Sequence, residues 1–277
     1  MRKKKVTFIM VAMIVVVLIP WILGCSSDRK SKPYGVFIGC EGEKLLQYAK
    51  SYEMVVAEST SLTTEQLFEL KRSGKKVYTY LDVGSLETYR DYYHQFEAYK
   101  LDVYENWPDE YWMDVTCKEW QEYVVETLAK ELVEDGYDGL FLDNFDVYYQ
   151  YPKDEVYEAL KCILEGLRQY QVDIIINGGD TFVSRLLEEG CTDLIDGINQ
   201  ECVFSTILDY EKDKFGRQSE EDREYFLQYI EVAAKQKLQV YLLEYTKDGK
   251  LIKEIEQYCR EKKYLCYISD SVALDKN

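Results

Sequence analysis

The strongest constraint on this chain is a repeated alternation: eight short apolar or β-branched runs, separated by stretches with helical period. The runs are 34–39 (YGVFIG), 54–58 (MVVAE), 77–82 (VYTYLD), 139–143 (GLFLD), 174–177 (IIIN), 196–201 (DGINQE), 240–244 (VYLLE) and 265–269 (LCYIS). Most are near-continuous in apolar character, the pattern of strands buried on both faces of a parallel sheet. Between them, 64–74, 118–136, 154–170, 219–237 and 249–263 place apolar residues three and four apart, as helices covering such a sheet do. With no linker or low-complexity tract, the alternation predicts an α/β fold, a single (β/α)₈ TIM barrel. A doubly wound open sheet is the alternative, but no G-x-G-x-x-G follows any strand. The connection 83–116 far exceeds an ordinary barrel loop, so a long β3–α3 loop is expected to carry function or added structure.

The first residues stand outside this fold. Arg2, Lys3, Lys4 and Lys5 precede an apolar run from Val6 to Leu23, followed by Gly24-Cys25-Ser26-Ser27. A charged start, an apolar middle and a small residue before cysteine read as a lipoprotein signal peptide over 1–24, with Cys25 as the lipidation site. An uncleaved membrane anchor is the alternative reading of that run. Either way the remainder lies outside the cytoplasm, and the lipid places it on the extracytoplasmic face of the cell membrane. Residues 25–33 are polar and read as a tether, leaving 34–277 as the domain. Removing the first 24 of 277 residues leaves 253, the size of one barrel of roughly 250 residues.

Four of the 34 basic residues lie in the signal, so 30 face 51 acids in the mature part, a formal charge of −21. Nucleic acid and anionic lipid surfaces are poor partners for such a domain, whereas a cationic or neutral substrate suits it. Its single histidine, His94, lies among tyrosines and charges in TYRDYYHQFEAY and reads as a surface residue. Nucleophile systems that need a histidine base are thereby disfavoured, and chemistry falls to carboxylates. Cys40, Cys117, Cys162, Cys191, Cys202, Cys259 and Cys266 have no CxxC spacing; several, such as Cys266 in YLCYI, read as small buried hydrophobes, and one bridge among the seven is left open. No cofactor or metal is called for, and a monomer is expected.

Active sites of parallel barrels sit at the carboxyl ends of the strands. There this chain places Glu58, Asp82, Asp143 with Asn144 and Asp146, Asn177, Gln200 with Glu201, Glu244 with Tyr245, and Asp270. Crowded carboxylates raise one another's pKa values, which yields an acid and a base near neutral pH. Two of them facing a sugar suffice to hydrolyse a glycosidic bond. Glu58 and Asp270 read as caps or structural acceptors. Asp143 and Glu201 read as chemical groups, because each ends a buried run without opening a helix. Asp146 either binds substrate or steadies the loop of Asn144. Trp107, Tyr111 and Trp112, and Tyr148, Tyr149 and Tyr151, put sugar-stacking faces on the same side, while Trp120, on a helix, reads as core.

The segments YLDVGSLETYR (80–90), ENWPDEYWMDV (105–115), DGLFLDNFDVY (138–148), IIINGGDTF (174–182), GINQECVF (197–204) and VYLLEYT (240–246) together resemble glycoside hydrolase family 114, the endo-α-1,4-polygalactosaminidases and their bacterial relatives. The resemblance runs from about Tyr34 to Asp270. It implies a (β/α)₈ barrel and hydrolysis within α-1,4-linked galactosamine polymers. Its catalytic pair falls on Asp143, ending the fourth strand, and Glu201, ending the sixth. By analogy with other α-acting barrels, the resemblance assigns Asp143 as nucleophile and Glu201 as general acid/base, with the exchanged roles as the alternative. Substrate contacts are expected from Tyr80, Asp82, Glu87, Asp114, Asn144, Asp146, Asn177, Gln200, Glu244 and Tyr245. The expected partner is an amino-sugar polysaccharide, whose cationic form the acidic domain would attract. A non-catalytic carbohydrate-binding lipoprotein on the same barrel is the alternative.

Overall fold

The computed structural model describes residues 31–105 and 107–276. The signal and Cys25 lie outside the described residues. Eight parallel strands follow one another around a barrel: β1 (Lys32–Val36), β2 (Tyr52–Ala57), β3 (Lys76–Asp82), β4 (Gly139–Asp143), β5 (Asp173–Asn177), β6 (Gly197–Glu201), β7 (Gln239–Tyr245) and β8 (Leu265–Ser269). Ladder hydrogen bonds join them in that order, and β8 packs beside β1, so the barrel is nearly closed. All eight strands expected from the apolar runs are present. β1 starts at Lys32, inside the stretch read as tether, because Lys32 N–H bonds the Ser51 carbonyl at 2.7 Å.

Strand alternation sorts the side chains into two layers. Tyr34, Tyr78, Tyr80, Phe141, Tyr241, Tyr245 and Tyr267 face inward and fill the barrel with rings; Tyr34 and Tyr241 lie 4.8 Å apart between ring centroids. Room for such rings comes from missing side chains opposite them. A Cβ at Gly139 would sit 2.7 Å from the Tyr78 ring. The outward positions of the strands are apolar and are covered by amphipathic helices. Their start signals are local: Thr63 Oγ1 accepts from Gln66 N–H at 3.3 Å while Gln66 Oε1 accepts from Thr63 N–H at 2.9 Å, closing a capping box on helix Thr64–Arg72.

Two excursions rise from the carboxyl end of the barrel. The long connection after β3 is an added three-stranded antiparallel sheet, with Glu110–Met113 in the centre between Ser85–Glu87 and Lys100–Val103. After β6 a hairpin pairs Ser205–Asp209 with Lys214–Arg217. The first excursion is pinned to the barrel by Trp120, fully buried on the following helix, whose indole N–H donates to the Val83 carbonyl at 3.0 Å. His94 lies on this excursion with 86% of its side chain exposed, as its surroundings in the sequence predicted.

Trp120 touches both the barrel and the excursion, packing on Phe96 and Tyr92 with ring centroids 5.1 and 6.0 Å away. Trp120→Ala is therefore expected to cost about 3–5 kcal/mol of folding stability. Urea unfolding followed by circular dichroism checks this, and a loss below about 1 kcal/mol would show that the excursion does not depend on the ring.

Candidate active site

The acids at the barrel mouth are held by neutral donors. Asn177, at the end of β5, donates from one nitrogen to both carboxyls: Nδ2 to Asp143 Oδ1 at 2.8 Å and to Glu201 Oε1 at 2.9 Å. These two oxygens are therefore no more than about 5.7 Å apart, the sum of the two bonds through the shared nitrogen. The Asn177 amide is oriented from below. Its Oδ1 accepts from Asn199 Nδ2 at 2.6 Å, and Asn199 Oδ1 accepts from Tyr34 Oη at 3.0 Å. Since Tyr34 and Asn199 are both fully buried, this chain leaves Asn177 one way to face, with its hydrogens toward the two acids. Glu201 Oε2 accepts from the Tyr245 hydroxyl at 2.9 Å.

The backbone delivers these side chains by a repeated device. Immediately after Asp143, Asn177 and Glu201 come Asn144, Gly178 and Cys202, with φ of 64°, 66° and 56°. A left-handed residue turns the chain away from the strand, so the strand's last side chain stays at the mouth while the loop leaves. The turn at Asn144 also needs Gly84 on β3's side: a Cβ there would lie 1.8 Å from the Asn144 carbonyl oxygen.

Burial raises both carboxyls. For Asp143 the charges of Asp82 and Glu201 add to burial, opposed by Asn177, and its pKa stands well above the usual aspartate value. Glu201 is raised by burial and opposed by Asn177 and Tyr245. Two acids this close share one proton over a range of pH, leaving one carboxylate and one carboxylic acid. That is the composition needed for a nucleophile and a proton donor.

A second acidic group lies alongside. Asp82 Oδ1 accepts from Ser85 N–H at 2.9 Å and from Asn144 Nδ2 at 3.1 Å. Asn144 Nδ2 also reaches Glu110 Oε1 at 2.9 Å. Further out, Arg90 forks onto Glu58 with bonds of 3.1 and 3.0 Å and also bonds Glu87, whose carboxyl burial pushes up to about 7. Glu58 accepts from Ser59 N–H at 3.0 Å, the cap its sequence position predicted.

Of the predicted contact residues, Tyr80, Asp82, Asn144, Asn177 and Tyr245 gather around the two acids, while Glu87 stands further out against Arg90. Others serve elsewhere. Gln200 and Glu244 lie one residue out of register with the inward positions, so they face the helix layer. Gln200 Nε2 turns back to the Glu201 carbonyl at 3.1 Å. Glu244 is fully buried and clamps the hairpin's root, accepting from Phe204 N–H at 3.0 Å and Ser205 N–H at 2.9 Å. Asp114 closes a turn onto Thr116 N–H at 3.0 Å. Asp146 accepts from Gly179 N–H at 3.0 Å, tying the loop after β4 to the loop after β5, with burial pushing its carboxyl up to about 6. The positions of Glu110, Asn199 and Tyr34 had no local signal: Glu110 closes no buried run in ENWPDEYWMDV, and the other two are joined 165 residues apart.

Between the two excursions runs an open groove of about 500 Å³, lined by Val103, Tyr104, Glu105 on one side and Leu208, Asp209, Tyr210 on the other. Tyr104 connects it to the centre: burial, then the charges of Asp143 and Asp146, drive its phenol pKa upward. Trp107 is 44% exposed at the groove's edge and meets Tyr210 edge-on at 6.3 Å, whereas Trp112 is buried against Tyr104 at 4.3 Å.

A sequence model of glycoside-hydrolase family GH114 matches residues 38–273. The chain belongs to that family. It is thus a glycosidase, and its substrate is a carbohydrate. Among curated proteins none matches this sequence. Among solved structures, the glycoside hydrolase domain of PelA from Pseudomonas aeruginosa is similar at TM-score 0.73 and 20% identity, over 89% of this chain and 96% of that one. Ega3 from Aspergillus fumigatus, in complex with galactosamine, is similar at TM-score 0.69 and 12% identity, over 89% and 93%. An α-galactosidase from Thermus thermophilus reaches TM-score 0.56 at 12% identity, over 85% and 57%. These likenesses show the (β/α)₈ fold.

Because the Asn177 hydrogen bonds lower both carboxyls, their loss raises the pKa of the group that must be ionised. In Asn177→Ala the acid limb of the GH114 enzyme's kcat/KM profile is expected to move to higher pH, with a fall in its plateau of about tenfold or more. An unshifted limb would show that Asn177 does not hold the pair.

Proposed function

We propose that this protein is a retaining endoglycosidase that cleaves α-1,4-linked galactosamine-containing polysaccharide at the outer face of the membrane. Asp143 is its nucleophile and Glu201 its general acid/base. The observation that carries the reading is the limit of about 5.7 Å between Asp143 Oδ1 and Glu201 Oε1. Retaining glycosidases hold their carboxyls roughly 5 to 5.5 Å apart, while inverting ones leave roughly 6.5 to 9.5 Å for a water. In the first step the Asp143 carboxylate attacks the anomeric carbon as Glu201 gives its proton to the departing oxygen. In the second, Glu201 takes a proton from water, which displaces Asp143 and restores the starting protonation.

Substrate class rests on three supports. Ega3 carries galactosamine in its structure, the mature charge of −21 attracts a polycation, and the groove adds Glu105 and Asp209 beside aromatic faces. A groove lined from two sides and open between them accommodates an internal stretch of polymer, which supports the endo mode. The Cys25 lipid would hold the domain at the cell surface.

Asp143→Asn and Glu201→Gln are expected to lower cleavage of partly deacetylated galactosaminan by about a thousandfold, with unfolding curves close to wild type. Equal cleavage by either variant would refute the pair. Proton NMR of fresh product should show the α-anomer first, and β-anomer first would mean inversion. The pH–rate profile should be a bell whose alkaline limb lies above the ordinary carboxylate range, because both pKa values are raised in the free enzyme. In cells, Cys25→Ser should move the protein from the membrane fraction to the medium, and an unchanged membrane pool would reject the lipid anchor.

A further inference from the structure

Two carboxyl groups meet a single serine hydroxyl on the insertion side of the mouth. Ser85 Oγ contacts both Asp82 Oδ2 and Glu110 Oε1. Asn144 Nδ2 closes the group, at 3.1 Å from Asp82 Oδ1, 2.9 Å from Glu110 Oε1 and 3.2 Å from Ser85 Oγ. A serine hydroxyl has one hydrogen and can give it to one carboxylate only. If both acids are ionised, the other oxygen–oxygen contact has no hydrogen in it and is repulsive. One additional proton satisfies the whole group.

Donor counting says where that proton sits. Burial raises the Asp82 carboxyl, but it receives the Ser85 hydroxyl, the Asn144 amide and the Ser85 N–H, and with the Arg90 charge these oppose that rise. Glu110 has no ion-pair partner among the described residues. It faces Asp82 from β3, Glu87 across the strand pairing, and Asp143 from β4, with the phenols of Tyr80 and Tyr104 close by. With fewer donors and no cation beside it, an ionised Glu110 is the more costly of the two.

We propose that Glu110 is a positioning residue held as the neutral carboxylic acid, donating to Ser85 Oγ and thereby fixing Asn144 and the end of β4 that carries Asp143. Burial and the neighbouring charges push the Glu110 carboxyl up to about 9, in keeping with this. The folded protein keeps a proton that the unfolded chain releases near the ordinary value of 4.5, so this group's contribution to stability falls as pH rises between those values. Glu110 also lies on the central strand of the inserted sheet, so its proton ties that sheet to the barrel mouth. The catalytic consequence rests on the glycosidase mechanism proposed above, whereas the proton itself does not.

Glu110→Gln supplies a donating amide of the same shape, and Glu110→Ala and Ser85→Ala remove the bond from either side. In melts from about pH 5 to about pH 9, the wild-type Tm should fall more steeply than that of Glu110→Gln. Infrared difference spectra at neutral pH should show a carboxylic acid carbonyl band that Glu110→Gln lacks. On galactosaminan, Glu110→Gln should keep kcat within about threefold, while Glu110→Ala and Ser85→Ala should lower kcat about tenfold or more with KM little changed. Parallel melting slopes for wild type and Glu110→Gln, or a Gln variant as damaged as the Ala variant, would overturn the proposal. If galactosaminan is not cleaved even by the wild type, the substrate reading fails while the melts and spectra still decide the proton. If Glu110→Ala does not fold, Ser85→Ala decides in its place: wild-type kcat in that variant overturns the positioning role.

Discussion

The constraint on which the rest of this structure depends is the gathering of carboxyl groups at the open end of the barrel with almost no cations among them. Asp82, Glu87, Glu110, Asp143, Asp146 and Glu201 all face that end, and Arg90 is bound to Glu58 and Glu87 at its margin. Charges of one sign in a half-buried space repel, so the fold must hold them with something other than ion pairs. It uses primary amides. Asn177 donates from one nitrogen to Asp143 and Glu201, and Asn144 donates from one nitrogen to Asp82 and Glu110. Each amide spans two acids, and its own orientation or backbone turn is set by a further layer: Tyr34 and Asn199 for the first, the left-handed turn for the second.

This choice of donors has a chemical consequence. A lysine or arginine between Asp143 and Glu201 would hold both ionised and remove the proton donor. An amide supplies directional hydrogen bonds without full charge, so the two acids are positioned while their pKa values stay raised. Positioning and proton availability are thus separated. The acidic balance of the whole domain and the amide-held site belong to the same arrangement, since one leaves the cleft attractive to positive charge and the other leaves an acid protonated within it.

Much of the barrel was legible in the sequence because burial on both faces writes a contiguous signal: eight apolar runs became eight strands, with ends displaced by at most three residues. Asp143 and Glu201 were legible for the same reason, as acids that close such runs. What was not legible depends on register or on distance. Gln200 and Glu244 stand at strand ends like their neighbours, and only the period-two alternation, fixed by pairing Leu242 with Gln200 and Leu243 with Glu201, turns them toward the helices. Tyr34 and Asn199 meet from distant parts of the chain. The three-stranded insertion was legible only as a long loop, because its strands are three or four residues long, too short for a period to show, and its shape comes from their pairing with one another.

The insertion and the hairpin also explain why one barrel can carry both a rigid centre and a long binding surface. Side chains on β3 to β7 are fixed by ladder hydrogen bonds and ring packing, so the acids keep their spacing whatever lies above them. The groove walls stand on excursions that contribute Leu208 and Tyr210 at greater exposure, with Trp107 at the edge. If the walls were as tightly packed as the centre, a carbohydrate chain could not enter. If the centre shared the walls' exposure, water would screen the acids and their pKa values would return toward ordinary ones. Buried amide bridges below and open aromatic walls above are the two halves of one requirement, namely that the polymer reach a site that water has largely left.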